Sequence, residues 1–389
     1  MVYRVGESEI DYFEWNINNE DIKDFMKFDS QKATKKDMEM LKEAEQFYQS
    51  KEFYSNRPSY SSADHTRHKI KYHDIEGVEA PLKGLGWVKG LPDIRDLIYE
   101  PGRLSLKHGE SIVDEDAELR RMTTIRQPKR IDLRDKYDSK YPIMDQGDLG
   151  SCTSFAIGSL LTYNNIKQDA EDTDPTNDID AFTPSHLFIY YNERVMLNTV
   201  NSDSGAVIRD GIKSVVRQGA CRESYWPYSI QKFIQRPPMD AYQEALKHQA
   251  ILYFRINNTN ILNLKSCFYE GYPFVFGFSV YTSFMSNQVA KTGMVPLPNP
   301  SENLLGGHAV TCVGYDDDRH VFICRNSWGV GWGDKGYFYM PYNYLTDTNL
   351  ASDFWVIKKV EVENDAERQA MVDRLLERQL TKWKQDDNE

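Results

Sequence analysis

The sequence predicts an α+β chain, with a helical half followed by a half of antiparallel strands. Three observations point that way. Apolar residues recur at helical spacing in several runs between residues 152 and 218. After Pro273 the apolar runs shorten and are separated by turn signals. Helices first and strands later make two packed layers rather than an alternating parallel sheet. A second break, near residue 127, separates this body from a charged first part, and no cysteine occurs before Cys152.

In the first part, Thr34 to Gln49 reads as a helix. Thr34 can cap it, Asp37 can answer as the third helical residue, and Met38, Leu41 and Tyr48 recur at helical spacing. Ser50 to Asp74 reads as loop. Leu85 to Asp96 carries Gly86, Gly90 and Pro92, breakers that make it ordered but irregular. Arg120 to Arg130 is basic, contains Gln127-Pro128 and reads as a linker. Helices are then expected from Cys152 to Ile166, Ser185 to Met196, and Val207 to Gln218. Gly219 stands where the third helix needs a left-handed residue. Strands are expected at Phe274 to Val280, His308 to Tyr315, His320 to Asn326, and Phe354 to Val360, with Asp316 to Arg319 as the hairpin turn. Glu363 to Glu389 reads as an amphipathic helix capped by Asp365, with Val372, Leu375, Leu376, Leu380 and Trp383 on one stripe. The expected domains are therefore 1–127, 128–362 and 363–389.

Composition excludes several classes. Of 389 residues, 47 are Lys or Arg and 59 are Asp or Glu, a formal net charge of −12. A phosphate-backbone partner needs a basic face, so no nucleic acid is expected. No stretch reaches the ~18 apolar residues of a membrane span. Met1 to Glu20 has neither a basic nor an apolar leader region, so no secretory signal is read there. The five cysteines are Cys152, Cys221, Cys267, Cys312 and Cys324, too few and too odd in number for a disulfide framework. Buried free thiols and an intracellular site (cytoplasm, or a virion) are expected. Asp316-Asp317-Asp318 reads as a solvated turn, and neither metal nor cofactor is expected.

One cysteine has the setting of a nucleophile. A thiol attacks as thiolate, so it needs its pKa lowered, and a helix N-terminus supplies part of that. Cys152 follows Gly150-Ser151 and opens an apolar helical run. By itself this would not outweigh the ordinary fate of a cysteine, which is to be a small buried hydrophobe.

The surroundings decide it. Gln146-Gly147-Asp148-Leu149-Gly150-Ser151-Cys152 resembles the signature of the papain-like cysteine peptidases. Gly307-His308-Ala309-Val310 resembles the histidine segment of that family. Asn326-Ser327-Trp328-Gly329 with Gly331-Trp332-Gly333 resembles its asparagine segment. The order Gln, Cys, His, Asn is the family order, and His308 lies 156 residues after Cys152, slightly beyond the ~130–150 of papain-type enzymes.

The resemblance implies a two-lobed fold, a helical lobe beside an antiparallel β lobe, and a peptidase. By it, Cys152 attacks the scissile carbonyl, His308 takes and returns the proton, and Asn326 orients the histidine under Trp328. Gln146 then donates to the oxyanion. Gly205 offers backbone to an extended polypeptide, Val207 and Ala309 line the main side-chain pocket, and Ser352 lies near its floor. An apolar or aromatic substrate side chain is expected there, with Asp353 leaving a basic one open.

Two departures stand out. Leu149 replaces a family cysteine, which removes a structural disulfide, and Thr153 replaces the tryptophan that usually follows the nucleophile. Both variants, and the stretch Gly86-Trp87 through Asp96, resemble bacterial and large-DNA-virus relatives. The first ~125 residues have the place of a prosegment. By analogy Tyr72 to Leu106 would cross the cleft in the non-productive direction and make the chain its own inhibitor. An accessory domain is the other reading of this region. No insertion after Trp226-Pro227-Tyr228 suggests a carboxydipeptidase. A transglutaminase-like or deubiquitinating enzyme, or an inactive binding module, are the alternatives. The intact Gln, Cys, His and Asn set disfavours them.

Overall fold

The computed structural model describes residues 83–90, 93, 96–101, 128–138, 140–171 and 182–360, with two short strands near the N-terminus. The chain divides into two compact units, Met1–Arg67 with Leu376–Glu389, and His68–Leu375. In the first unit only a hairpin is described, β1 (Val5–Gly6) against β2 (Glu9–Ile10). The expected helices at Thr34 to Gln49 and Glu363 to Glu389, and most of the basic linker, lie outside the described residues.

The second unit is built on a seven-stranded sheet. Its strands are β3 (Arg130–Asp132), β4 (Ala250–Arg255), β5 (Phe274–Tyr281), β6 (Leu304–Asp316), β7 (Val321–Arg325), β8 (Tyr337–Pro341) and β9 (Ala351–Val360). The order is β4-β9-β5-β6-β7-β8, with β3 added on β6, and each pairing is antiparallel. Helices α1 (Arg134–Asp138), α2 (Cys152–Glu171), α3 (His186–Leu197) and α4 (Ile208–Gln218) form the helical side. Helix and sheet thus occupy the expected halves of the chain.

Local chemistry sets the ends of the helices. Ser185 caps α3, its hydroxyl accepting from the Phe188 N–H at 3.1 Å. That bond satisfies one of the orphan donors of the first turn. Gly219 ends α4 at φ +73°, a backbone region that a side chain resists. The turn between β6 and β7 falls where expected, with Asp316 Oδ1 accepting from the N–H groups of Asp318 and Arg319. Cys312 and Cys324 face each other across that hairpin, and all five cysteines are free and buried.

Two larger cores and two smaller ones lie among the described residues of the unit. One of the larger two lies on the strand side, where Phe274, Phe276, Phe278, Phe338 and Trp328 pack. The other joins α2 and α4 to the sheet through Leu160, Ile212, Val275 and Trp355. The described N-terminal residues enter both, since Leu85 and Tyr99 belong to the first and Trp87 to the second. Leu97 to Tyr99 also runs beside β4: Arg255 N–H donates to Leu97 O and Tyr99 N–H donates to Arg255 O, both at 2.7 Å. Among the described residues no helix is long and apolar enough to cross a membrane.

Candidate active site

Cys152 is the first residue of α2 and is fully buried. The loop before it is held by the Asp203 carboxylate, whose oxygens accept from Gly150 N–H at 3.0 and 3.1 Å. Its sulfur accepts from the Ala309 N–H at 3.4 Å, which places the thiol one residue from His308. His308 stands on β6 opposite Phe278 of β5. Its Nε2 lies 2.8 Å from Asn326 Oδ1, and its Nδ1 is buried with no hydrogen-bond partner. The Trp328 ring stacks on the imidazole, 4.7 Å between centroids and 30° between planes. Phe284 and Trp332 meet Trp328 edge-on and fix its plane.

Gln146 ties the two motif segments together. Its backbone N–H donates to Ser327 O at 2.9 Å, and its Oε1 accepts from Ser327 Oγ at 2.5 Å. Its Nε2 donates to Leu149 O at 2.9 Å and to Gly84 O at 3.0 Å. The sequence brought Gln146, Cys152, His308, Asn326 and Trp328 forward, and the fold gathers all five.

The Gly84 bond shows what fills the cleft. Residues 83–90 run between helix and sheet on both sides of the thiol. Gly84 N–H donates to Gly147 O at 2.9 Å, Ala206 N–H to Gly86 O at 2.7 Å, Trp87 N–H to Gly307 O at 3.0 Å, and Val88 N–H to Ala206 O at 2.9 Å. The bridge between Trp87 and Ala206 is parallel. Lys83 Nζ reaches Asp145 at 2.7 Å. Only glycine fits at two points. A Cβ on Gly84 would lie 2.0 Å from Leu149 O, and one on Gly86 would lie 1.8 Å from Gly150 O.

Trp87 packs where the sequence leads one to expect the side-chain pocket. Its ring covers Gly277, where a Cβ would fall 2.0 Å from Trp87 Cε2. Ala309 belongs to the same core cluster. Val207 stands beside Gly90, where a Cβ would lie 3.0 Å from Val207 Cγ1. Trp87 Nε1 donates to Asp353 Oδ2 at 3.0 Å, and Gly90 N–H donates to the same oxygen at 2.6 Å. The polar group met by the ring is therefore Asp353. Its neighbour Ser352 pairs with Gly277 in register, and its hydroxyl is buried without a partner. Gly205 has φ +67° and lies against Gly86 O, but the backbone atoms that pair with the segment belong to Ala206. Sequence reasoning missed Ala206 and the seat of Trp87. The cluster of glycines around Trp87 was the available signal.

Burial governs the charge states in this covered cleft. It pushes the Cys152 thiol up to about 12, against hydrogen bonds from the Ala309 and Gly86 backbones. It pushes the His308 imidazole down to about 4, against the Asn326 bond. The pair accordingly rests as neutral thiol and neutral imidazole. Burial also raises the carboxyls of Asp353 and Asp96, the latter despite its ion pair with Arg209.

The sequence profile of the papain family cysteine proteases matches residues 127–356. The chain belongs to the papain family. It is a cysteine peptidase, and its substrates are polypeptides. A peptidase C1-like protein of Acanthamoeba polyphaga mimivirus, described as uncharacterized, is 40% identical over 292 residues, covering 72% of this chain and 88% of the relative. Xylellain, a cysteine protease from Xylella fastidiosa, has a similar crystal structure. Its TM-score is 0.60 at 37% identity, over 73% of this chain and 100% of that one. Procathepsin B S9 from Trypanosoma congolense shares the fold, with a TM-score of 0.51 at 16% identity, over 72% of this chain and 87% of its own. Viral and bacterial relatives are those the Leu149 and Thr153 variants resembled. A papain-family peptidase replaces the transglutaminase-like and deubiquitinating alternatives.

Proposed function

We propose that this papain-family chain is an endopeptidase working through Cys152, His308 and Asn326, and that it is made as a self-inhibited precursor. The observation that carries the reading is the state of His308. One ring nitrogen is held by Asn326, while the other, Nδ1, is buried, unpartnered and one residue from the amide that holds the thiol. Nδ1 is the atom free to take the thiol proton.

The steps follow from that geometry. With the cleft open, water and the helix N-terminus favour thiolate and imidazolium over the neutral pair. Sγ attacks the peptide carbonyl, and the oxyanion is met by Gln146 Nε2 and the Cys152 N–H. The His308 Nδ1 proton passes to the leaving amine, giving a thioester. Water, deprotonated by the same nitrogen, then releases the acid. Asn326 keeps the ring in plane, and Trp328 screens that bond from water. Val207, Ala309, Gly277 and Asp353 are read as the main side-chain pocket. The indole now seated there suggests a side chain with an apolar body and a donor at its tip.

Self-inhibition rests on residues 83–90. The atom this segment presents to Sγ is the Gly86 N–H, which is no electrophile. The nearby Gly84 carbonyl uses the Gln146 donor that an oxyanion would need. An epoxide thiol reagent tests both parts. It should label Cys152 once per chain, slowly in the intact protein and faster after a cut between Arg120 and Arg130 followed by displacement of the N-terminal part. Labelling at another cysteine would remove the nucleophile assignment. Equal rates in both forms would make the N-terminal part an accessory domain.

Acid is not expected to open the cleft. Asp353 and Asp96 bind protons more tightly when buried by the segment than an exposed carboxyl at ~3.9 does. Closure therefore takes up protons, is favoured as pH falls, and weakens as pH rises through the raised values. Where the open pair is thiolate and imidazolium, Cys152 and His308 exchange no net proton on closure, because the neutral and ionic forms hold the same number. The labelling rate of the intact chain, relative to an opened variant at each pH, should fall on acidification. A relative rate that climbs in acid would reverse this.

A further inference from the structure

Glu193 takes no part in the steps above, yet it lies against the nucleophile helix. It projects from α3 and is fully buried. Its Oε2 accepts from Thr153 Oγ1 at 2.8 Å, and its Oε1 has no hydrogen-bond partner. Room for it depends on Gly211 of α4, where a Cβ would lie 2.2 Å from Oε1. The ionisable groups around it are Arg194 on its own helix, Asp210 on α4 and Cys152 on α2. Arg194 turns its guanidinium to the carbonyls of Tyr190, Val200, Ser202 and Phe233. Burial holds the Glu193 carboxyl well above its usual range, which weakens the charge it sets against a thiolate at Cys152.

Leaving one oxygen of a buried carboxyl bare is destabilising, which an apolar side chain packed against Ile157 would avoid. What the carboxyl does that an apolar group does not is hold Thr153. The first turn of α2 is also closed on itself, with Ser151 O accepting from Ser154 N–H at 3.1 Å and from Ser154 Oγ at 2.8 Å, and its Ser154 O lies 3.3 Å from His186 Nδ1 at the start of α3. Where related enzymes place a bulky tryptophan, Thr153 is too small to wedge the turn by size. Its hydroxyl is the side-chain tie from the residue next to Cys152 to the neighbouring helix.

We propose that Glu193 is a positioning residue for the Cys152 thiol: through the Thr153 hydroxyl it ties the first turn of α2 to α3 and so fixes the direction of Sγ. The inference rests on the reading of Cys152 as nucleophile.

The test follows the pH profile of Cys152 alkylation by iodoacetamide in the full chain carrying Gly86→Ala in every version, the wild type at Glu193 and Thr153 included, because the closed cleft holds the thiol neutral. It runs from about pH 5 to about pH 10, either side of the ~8.5 of a free thiol. Glu193→Leu and Thr153→Val should each slow alkylation near neutrality by about 10- to 100-fold, the scale of a small misplacement, and move the profile toward that of a free thiol. The double variant should be no worse than either single one. Glu193→Gln and Thr153→Ser, which keep an acceptor and a hydroxyl, should keep the wild-type profile. A lowered Tm with an unshifted profile in Glu193→Leu would make the contact structural and overturn the proposal. So would a Gln variant that behaves like the Leu one. If Glu193→Leu does not fold, Thr153→Val decides alone by the same criteria. A wild-type profile that already follows a free thiol would instead sink the nucleophile reading itself.

Discussion

Gly86→Ala should switch the full-length chain on. The added methyl would stand 1.8 Å from the carbonyl oxygen and 2.3 Å from the carbonyl carbon of Gly150. Both atoms are backbone in the loop that carries Cys152. That loop cannot retreat, because Gly150 N–H is held by Asp203 and Asp203 in turn accepts from Tyr190 Oη. The segment must move instead. Overpacking of this kind costs about 1–3 kcal/mol. That converts to an increase of about 5- to 140-fold in the open fraction, and in the rate of hydrolysis of a fluorogenic peptide, at about 1.4 kcal/mol per decade. The same change at Gly84, 2.0 Å from Leu149 O, should act in the same direction. Unchanged hydrolysis by both variants would show that residues 83–90 do not restrain the site.

Gln146→Glu should cost about 10²–10³ in kcat, the loss found when one oxyanion donor is removed. The substitution keeps the shape of the side chain and loses its N–H donors. It belongs in the Gly86→Ala background. In the intact chain Nε2 also bonds Gly84 O, so its loss would loosen the inhibitory segment and hide part of the effect. The change should fall on kcat and leave KM within a few-fold, because the oxyanion exists only beyond the ground state. A kcat within threefold, roughly 0.6 kcal/mol, would take Gln146 out of the mechanism and leave it as the clamp between Gly84, Leu149 and Ser327.

The parts of the site that lie in short motifs were legible in the sequence. Cys152 announces itself by Gly150-Ser151 and an apolar helix, and Asn326 by the Trp-Gly pairs behind it. The helix caps at Ser185 and Gly219 follow from one residue's chemistry each. Other features depend on pairings made by the fold. Trp87 meets Asp353 across 266 residues, and nothing in either neighbourhood names the other. The register of β9 decides that Asp353 and not Ser352 reaches the indole, and a shift of one residue would exchange them. β4 and β8 went unread because Ala250–Arg255 and Tyr337–Pro341 are short apolar runs without alternation. Ala206 rather than Gly205 pairs with the cleft segment because pairing uses backbone atoms, which any residue supplies.

β4 is the outer strand of the sheet, and Leu97 to Tyr99 lies along its free side. Tyr99 is 2% exposed there and belongs to the same core cluster as Phe254 and Leu252. An uncovered outer strand is a template on which a second molecule can grow. The stretch that leads out of the cleft is thus also a selvedge, finishing a border that would otherwise fray into other chains. A peptidase stripped of everything before residue 128 would bare the Arg255 backbone and leave a hole the size of a tyrosine. Its enemy at high concentration would be its own copies.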